Sequence, residues 1–143
     1  MFKIQPNTPQ LGVLTPPLKR AAIWARVSTS QQAETSLPSQ VSRCREKLGS
    51  SCIVTHVFEA DWSSLDLFSC PKFQQLLELI RNRDIEVVAV FDRDRLAAQG
   101  LQRLTFISEC KDDGVDLVLC QGPDLIDAPE GQLVELALAI GKE

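Results

Sequence analysis

The sequence predicts an α/β fold in three layers, with a mainly parallel central sheet flanked by helices. Three observations carry this. Strand-like and helix-like runs alternate along most of the 143 residues. The run 85–91 (IEVVAVF) is apolar at nearly every position, as a central parallel strand must be when both of its faces are covered. Glycines that can stop a helix, Gly49 and Gly114, each precede a strand-like run, giving the β-α-β order that feeds a parallel sheet.

The elements follow in order. Residues 1–18 carry Pro6, Pro9, Pro16 and Pro17 with few charges and read as irregular chain,. The segment 1–20 is accordingly assigned as an arm ahead of a domain at 21–143. Residues 21–27 form a short apolar run with Arg26 near its end. Residues 36–48 suit a helix: Ser36 is an N-cap residue, Pro38 is tolerated in the first turn and Gly49 can end it,. Residues 53–58, β-branched and aromatic, read as a strand that includes His56, the single histidine,. Residues 71–82 place Phe73, Leu76, Leu77 and Ile80 at helical spacing,. After the strand at 85–91 comes a helix at 101–113, with Leu104, Ile107 and Ser108 predicted on one face. A fourth strand at 115–120, a loop at 123–129 and a further helix at 131–140 complete the pattern.

Composition narrows the function. Fifteen Lys and Arg face nineteen Asp and Glu, a formal net charge of −4. A free-standing DNA-binding module is usually basic, because neutralising phosphates supplies most of its affinity. Any hold on DNA is therefore expected to come mainly from elsewhere. No apolar run approaches the roughly 20 residues that span a bilayer, and the N-terminus lacks the apolar core of a signal peptide. The five cysteines show no CxxC spacing. The expectation is a cytoplasmic protein with reduced thiols and no membrane association.

In a parallel sheet, ligands bind outside the C-terminal ends of the strands. Two of those ends are polar here: Arg26, Ser28, Thr29, Ser30, Gln31 and Gln32 after the first strand, and Asp92, Arg93, Asp94 and Arg95 after the third. If the two strands are neighbours, a hydroxyl, guanidiniums and carboxylates converge. Arginine forks fit phosphate oxygens, so the set suits attack on a phosphodiester, where charge on the transferring phosphate must be neutralised. The residues alone leave a second reading open, in which Ser-Thr-Ser is turn chemistry and Asp-Arg-Asp-Arg a solvated loop. A phosphoacceptor receiver-like domain, with Asp92 ending the third strand, fits less well. It needs metal-holding acidic groups after the first strand, where Arg26 and Ser28 stand. A dinucleotide fold lacks its GxGxxG.

The stretch WARVSTSQQ, Trp24 to Gln32, resembles the first motif of the serine site-specific recombinases, which include resolvases, invertases and large serine integrases. Ser36-Leu37-Pro38-Ser39-Gln40 is similar to the opening of that family's first helix. Asp61-Trp62-Ser63-Ser64 resembles the loop after its second strand, and Asp94-Arg95-Leu96 its third motif. Gly114-Val115 and Pro129-Glu130-Gly131 fall in family order. The likeness runs from about Ala21 to the C-terminus and implies a resolvase-like catalytic domain.

By this resemblance Ser28 is the nucleophile that becomes linked to a DNA 5′ phosphate, and Arg26 and Arg95 hold that phosphate. Asp94, Gln32, Gln40, Trp24 and Ser63 support the site. No metal or other cofactor is implied. DNA recombination sites are the implied partner, with a homodimer or tetramer in the whole protein and a DNA-binding domain beyond Glu143. The sequence also departs from the family. Ala98 and Cys70 stand where arginines are usual, Trp24 replaces a tyrosine and Ser64 a glycine. Arg93, Arg103 and Lys72 are the cations that would have to compensate. The departures keep an alternative in view, a catalytically degenerate domain retained for oligomerisation or regulation.

Overall fold

A computed structural model of the chain describes residues 17–28 and 35–122. The described residues form four strands and three α-helices: β1 (Lys19–Val27), α1 (Leu37–Leu48), β2 (Cys52–Asp61), α2 (Pro71–Arg81), β3 (Val87–Val90), α3 (Gly100–Asp112) and β4 (Asp116–Leu119). The sheet order is β2-β1-β3-β4 and every pairing is parallel. The alternation read from the sequence is therefore correct through β4. The loop at 123–129, the helix at 131–140 and the arm to residue 16 lie outside the described residues.

Layering follows from strand alternation. Ala21 and Ile23 of β1 pack with Cys44 and Leu48 of α1, together with Val87 and Ala89 of β3. Ala22 and Trp24 face the other way, into a larger cluster built from α2 and α3. Phe73 of α2 is its hub, meeting Trp24 edge-on at 5.2 Å, Phe68 at 5.3 Å and Phe106 at 5.3 Å. Such ring pairs add about 0.5–1.5 kcal/mol each beyond the area they bury.

Three details differ from the sequence reading. β1 begins two residues earlier, at Lys19, because Arg20 is tied to Glu86 through both its backbone N–H and its side chain. β2 runs to Asp61 and carries a register shift: Ala21 pairs with Val54 but Ala22 pairs with His56. The extra residue, Thr55, turns its hydroxyl to the Ala21 carbonyl, and beyond it Phe58 and Ala60 point into the α2–α3 layer,. Finally, α3 buries Arg103, Phe106, Ile107 and Cys110, while Ser108 is exposed and Leu104 only half-buried. Bringing Phe106 against Phe73 rotates the helix away from the predicted Leu104–Ile107–Ser108 face.

Ser36 caps α1 by accepting the Ser39 N–H, and Gly49 ends it at φ 59°. Gly114, at φ 72°, makes the turn from α3 into β4, and a Cβ there would meet no atom within 4 Å. Its requirement is conformational, since L-residues with a side chain resist positive φ. Gly114→Ala is expected to lower stability by about 1 kcal/mol, read as a lower urea midpoint. An unchanged midpoint would show that the turn relaxes at no cost.

Candidate active site

β1 and β3 are hydrogen-bonded neighbours running in the same direction, so the polar residues that follow them emerge at one edge of the sheet. Arg26 sits two residues beyond Trp24 on β1, and Ser28 is the first residue past that strand. After β3 the chain passes through Phe91 and Asp92 into a single 3-10 turn, Arg93–Arg95. The Asp92 carboxylate caps this turn by accepting the Asp94 N–H at 3.0 Å, and it pairs with Arg95 Nε at 3.3 Å.

A buried network joins these ends. Arg26 is 3% exposed, and its guanidinium is committed to the backbone. It donates to three carbonyls: Trp62 at 2.8 Å, Asp94 at 2.7 Å and Arg95 at 3.3 Å. The fully buried Trp24 indole N–H adds a bond to the same Arg95 carbonyl at 2.9 Å. In return Arg95 Nη1 donates to the Arg26 carbonyl at 3.2 Å. The Trp62 N–H donates to the Val27 carbonyl, closing the edge on the β2 side. One arginine thus stitches together the C-terminal ends of β1, β2 and β3.

Gln40 is wholly buried on α1 and holds both sides of the Arg26 peptide. Its Oε1 accepts the Arg26 N–H at 3.1 Å, and its Nε2 donates to the Arg26 carbonyl at 3.0 Å and the Thr35 carbonyl at 2.9 Å. One amide thus links the end of β1 to Thr35, the residue that precedes the Ser36 cap of α1. Gln40→Glu replaces the amide donor by an acceptor facing two carbonyls. It is expected to lower stability by about 2–3 kcal/mol, measured by urea unfolding. A variant as stable as the parent would show that the clamp carries no load.

The predicted residues therefore fall into three groups. Arg26, Arg95, Gln40 and Trp24 are joined in one hydrogen-bond network, and Ser28 is the first residue past the strand that carries Arg26. Asp94 belongs to the same edge through its carbonyl, and its side chain is exposed. Ser63 stands apart from this network, capping the short 3-10 segment Ser64–Ser69 by accepting the Leu65 N–H. Gln32 lies outside the described residues. Of the other cations, Lys72 donates to the Glu59 carbonyl and Arg103 to the carbonyls of Ala97 and Ala98. Arg103 thus brings a largely buried guanidinium up to Ala98 itself. Cys70 precedes α2 as a buried residue with no side-chain capping bond. Sequence reasoning missed the role of Asp92, although Asp two residues before an N–H it can accept is a recognisable turn signal.

Around the strand ends stand three guanidiniums, from Arg26, Arg93 and Arg95, and the carboxylates of Asp92 and Asp94. With Asp61 at the end of β2, three guanidiniums face three carboxylates there, and the two most buried guanidiniums are those of Arg26 and Arg95. Charges held at a partly dry edge act on an incoming anion far more strongly than charges in open water. No helix among the described residues is long and apolar enough to cross a membrane.

Comparison with known proteins gives a consistent picture. A search of curated proteins gives no significant match. Among solved structures, the N-terminal catalytic domain of TP901-1 integrase aligns with TM-score 0.69 at 23% identity, covering 87% of this chain and 94% of that one. A resolvase family site-specific recombinase from Streptococcus pneumoniae aligns with TM-score 0.71 at 24% identity, covering 87% of each chain. A serine recombinase from Sulfolobus solfataricus aligns with TM-score 0.59 at 25% identity, covering 88% of this chain and 82% of that one. The first two establish the likeness of fold. The sequence profile described as "Resolvase, N terminal domain" matches residues 21–143. The chain belongs to that family, the N-terminal catalytic domains of the serine site-specific DNA recombinases.

Proposed function

We propose that the domain cleaves and rejoins DNA through Ser28. The Ser28 oxygen bonds to phosphorus while the bond from phosphorus to the 3′ oxygen breaks. The serine proton is released and the departing 3′ oxygen is protonated. The 5′ phosphate stays on Ser28 until a 3′ hydroxyl from the exchanged strand attacks it and frees the serine. The phosphoserine ester retains the energy of the original linkage, so rejoining draws on no nucleotide. The observation that supports this reading is the position of Ser28, at a strand end two residues beyond Arg26, whose carbonyl is held by Arg95 at 3.2 Å. In this reading the buried guanidiniums of Arg26 and Arg95 lower the energy of charge gathering on the transferring phosphate. Gln40 and Trp24 hold them in place, and supporting roles are assigned to Gln32, Asp94 and Ser63.

The specific grip on DNA is assigned to a basic surface outside these 143 residues, because few cations here are available to displace condensed counterions. A dimer or tetramer that pairs two sites is part of the same proposal. The test is covalent capture: the protein is incubated in EDTA with genomic fragments carrying nicks, denatured, and the adducts are digested and mapped by mass spectrometry. The expected product is a 5′ phosphate on Ser28. A link through another residue overturns the assignment. Absence of any adduct favours the degenerate domain, and restoring arginine at Ala98 and Cys70 is then the next experiment.

A further inference from the structure

We propose that Cys44 and Cys120 form an oxidisable thiol pair, which hydrogen peroxide converts to a disulfide tying α1 to the C-terminal end of β4. The two sulfurs lie 3.5 Å apart, with the Cys120 thiol directed at Cys44. A disulfide needs them at about 2.05 Å, a closure of about 1.5 Å from the present separation. The backbones on both sides are fixed. Cys44 lies on the buried face of α1, one turn after Gln40 and one before Leu48. Cys120 directly follows β4, and its N–H is bonded to the Val90 carbonyl at 3.0 Å. The two residues are 76 apart in sequence, so the pairing is created by the fold and not by a local motif.

The surroundings set the order of events. Cys44 is wholly buried and Cys120 half-buried, so peroxide reaches Cys120 first. Burial pushes the Cys120 thiol up, with Asp92 adding to it, and the Cys44 contact and the cations of Arg43 and Lys47 offset only part of that rise. Burial holds the Cys44 thiol far above the usual thiol range, with Cys120 adding to the shift. The Cys120 sulfur attacks a peroxide oxygen: the S–O bond forms, the O–O bond breaks, and one water leaves with the thiol proton. The Cys44 sulfur then attacks the oxidised Cys120 sulfur: the S–S bond forms, the S–O bond breaks, and a second water leaves. Two electrons pass from the thiols to peroxide. Cys70 and Cys110 belong to the α2–α3 layer, and Cys52, though packed against the same α1-side cluster, opens β2 at the other end of the sheet.

The whole chain, reduced and then treated with peroxide, is alkylated in denaturant and mapped by mass spectrometry. The expected result is the loss of two alkylatable thiols from five, a Cys44–Cys120 linked peptide, and full reversal by dithiothreitol. Closing so long a loop in native-like geometry is expected to raise the melting temperature by about 5–15 °C. Cys120→Ser, a near-isosteric change at the more accessible position, is expected to remove both the link and the rise. Five thiols still alkylatable after treatment, a link between other cysteines, or a linked protein that melts lower than the reduced one would each overturn the proposal. The mapping is made on the unaltered chain, so it stands even if the serine variant folds poorly.

Discussion

Ser28→Ala is expected to eliminate the covalent DNA adduct and to lower strand cleavage by on the order of 10⁴-fold or more. In the proposed mechanism this residue supplies the attacking oxygen, and the hydroxyls of Thr29 and Ser30 that follow it in sequence are the alternatives the adduct mapping distinguishes. The nearest side chains along the strand, Arg26 and Val27, offer a committed guanidinium and an alkyl group. The fold should survive. Ser28 is half-buried at a strand end, and loss of one hydroxyl there costs about 1 kcal/mol or less. The two effects are read separately, adducts on denaturing gels and stability by urea unfolding. An alanine variant that still forms adducts removes Ser28 from the mechanism. A variant that loses adducts only because it unfolds leaves a lowered urea midpoint as its signature, and Ser28→Thr then tests the same oxygen with a bulkier frame.

Much of this architecture was legible in the sequence because it rests on local periodicity. The IEVVAVF run announced a strand covered on both faces, and β3 is buried throughout. Ser36 and Gly49 bounded α1 through capping chemistry that acts over three or four residues. The face of α3 was misread because Leu104 and Ser108 fit the helical period as well as Phe106 does. Only the distant partner Phe73 decides between the two faces.

The candidate site was legible as a list of residues but not as a network. Arg26, Arg95, Gln40 and Trp24 were identified by resemblance as groups around a phosphate. Many of their partners are backbone carbonyls, up to 71 residues away, and carbonyls leave no trace in a sequence motif. A motif shared by relatives can thus be maintained by folding as much as by chemistry. Trp24 illustrates this, since its indole N–H reaches Arg95 from a fully buried position.

Arg26→Met separates those two demands and is expected to be the most destabilising change at the site. Methionine keeps the length and apolar contact of the stem but removes donors to Trp62, Asp94 and Arg95. The Arg95 carbonyl retains the Trp24 indole N–H, so the loss falls mainly on the carbonyls of Trp62 and Asp94. A buried group left without its partner costs about 1–3 kcal/mol, and removing the charge relieves part of its own desolvation penalty. The expected net loss is about 2–4 kcal/mol, visible as a lower urea midpoint. Arg26→Lys restores the charge but not the planar fork, so one ammonium cannot serve three carbonyls at once. It is expected to regain less than half of the lost stability. If Arg26 acts only as scaffold, adduct formation by the folded fraction of Arg26→Lys stays near that of the parent. If its charge distribution also serves the transition state, that fraction cleaves 10²-fold or so more slowly, about the penalty for one misplaced electrostatic donor. Unchanged stability in Arg26→Met would show that the three carbonyl bonds do not hold the strand ends together, and the account of the site as one network would fail with them.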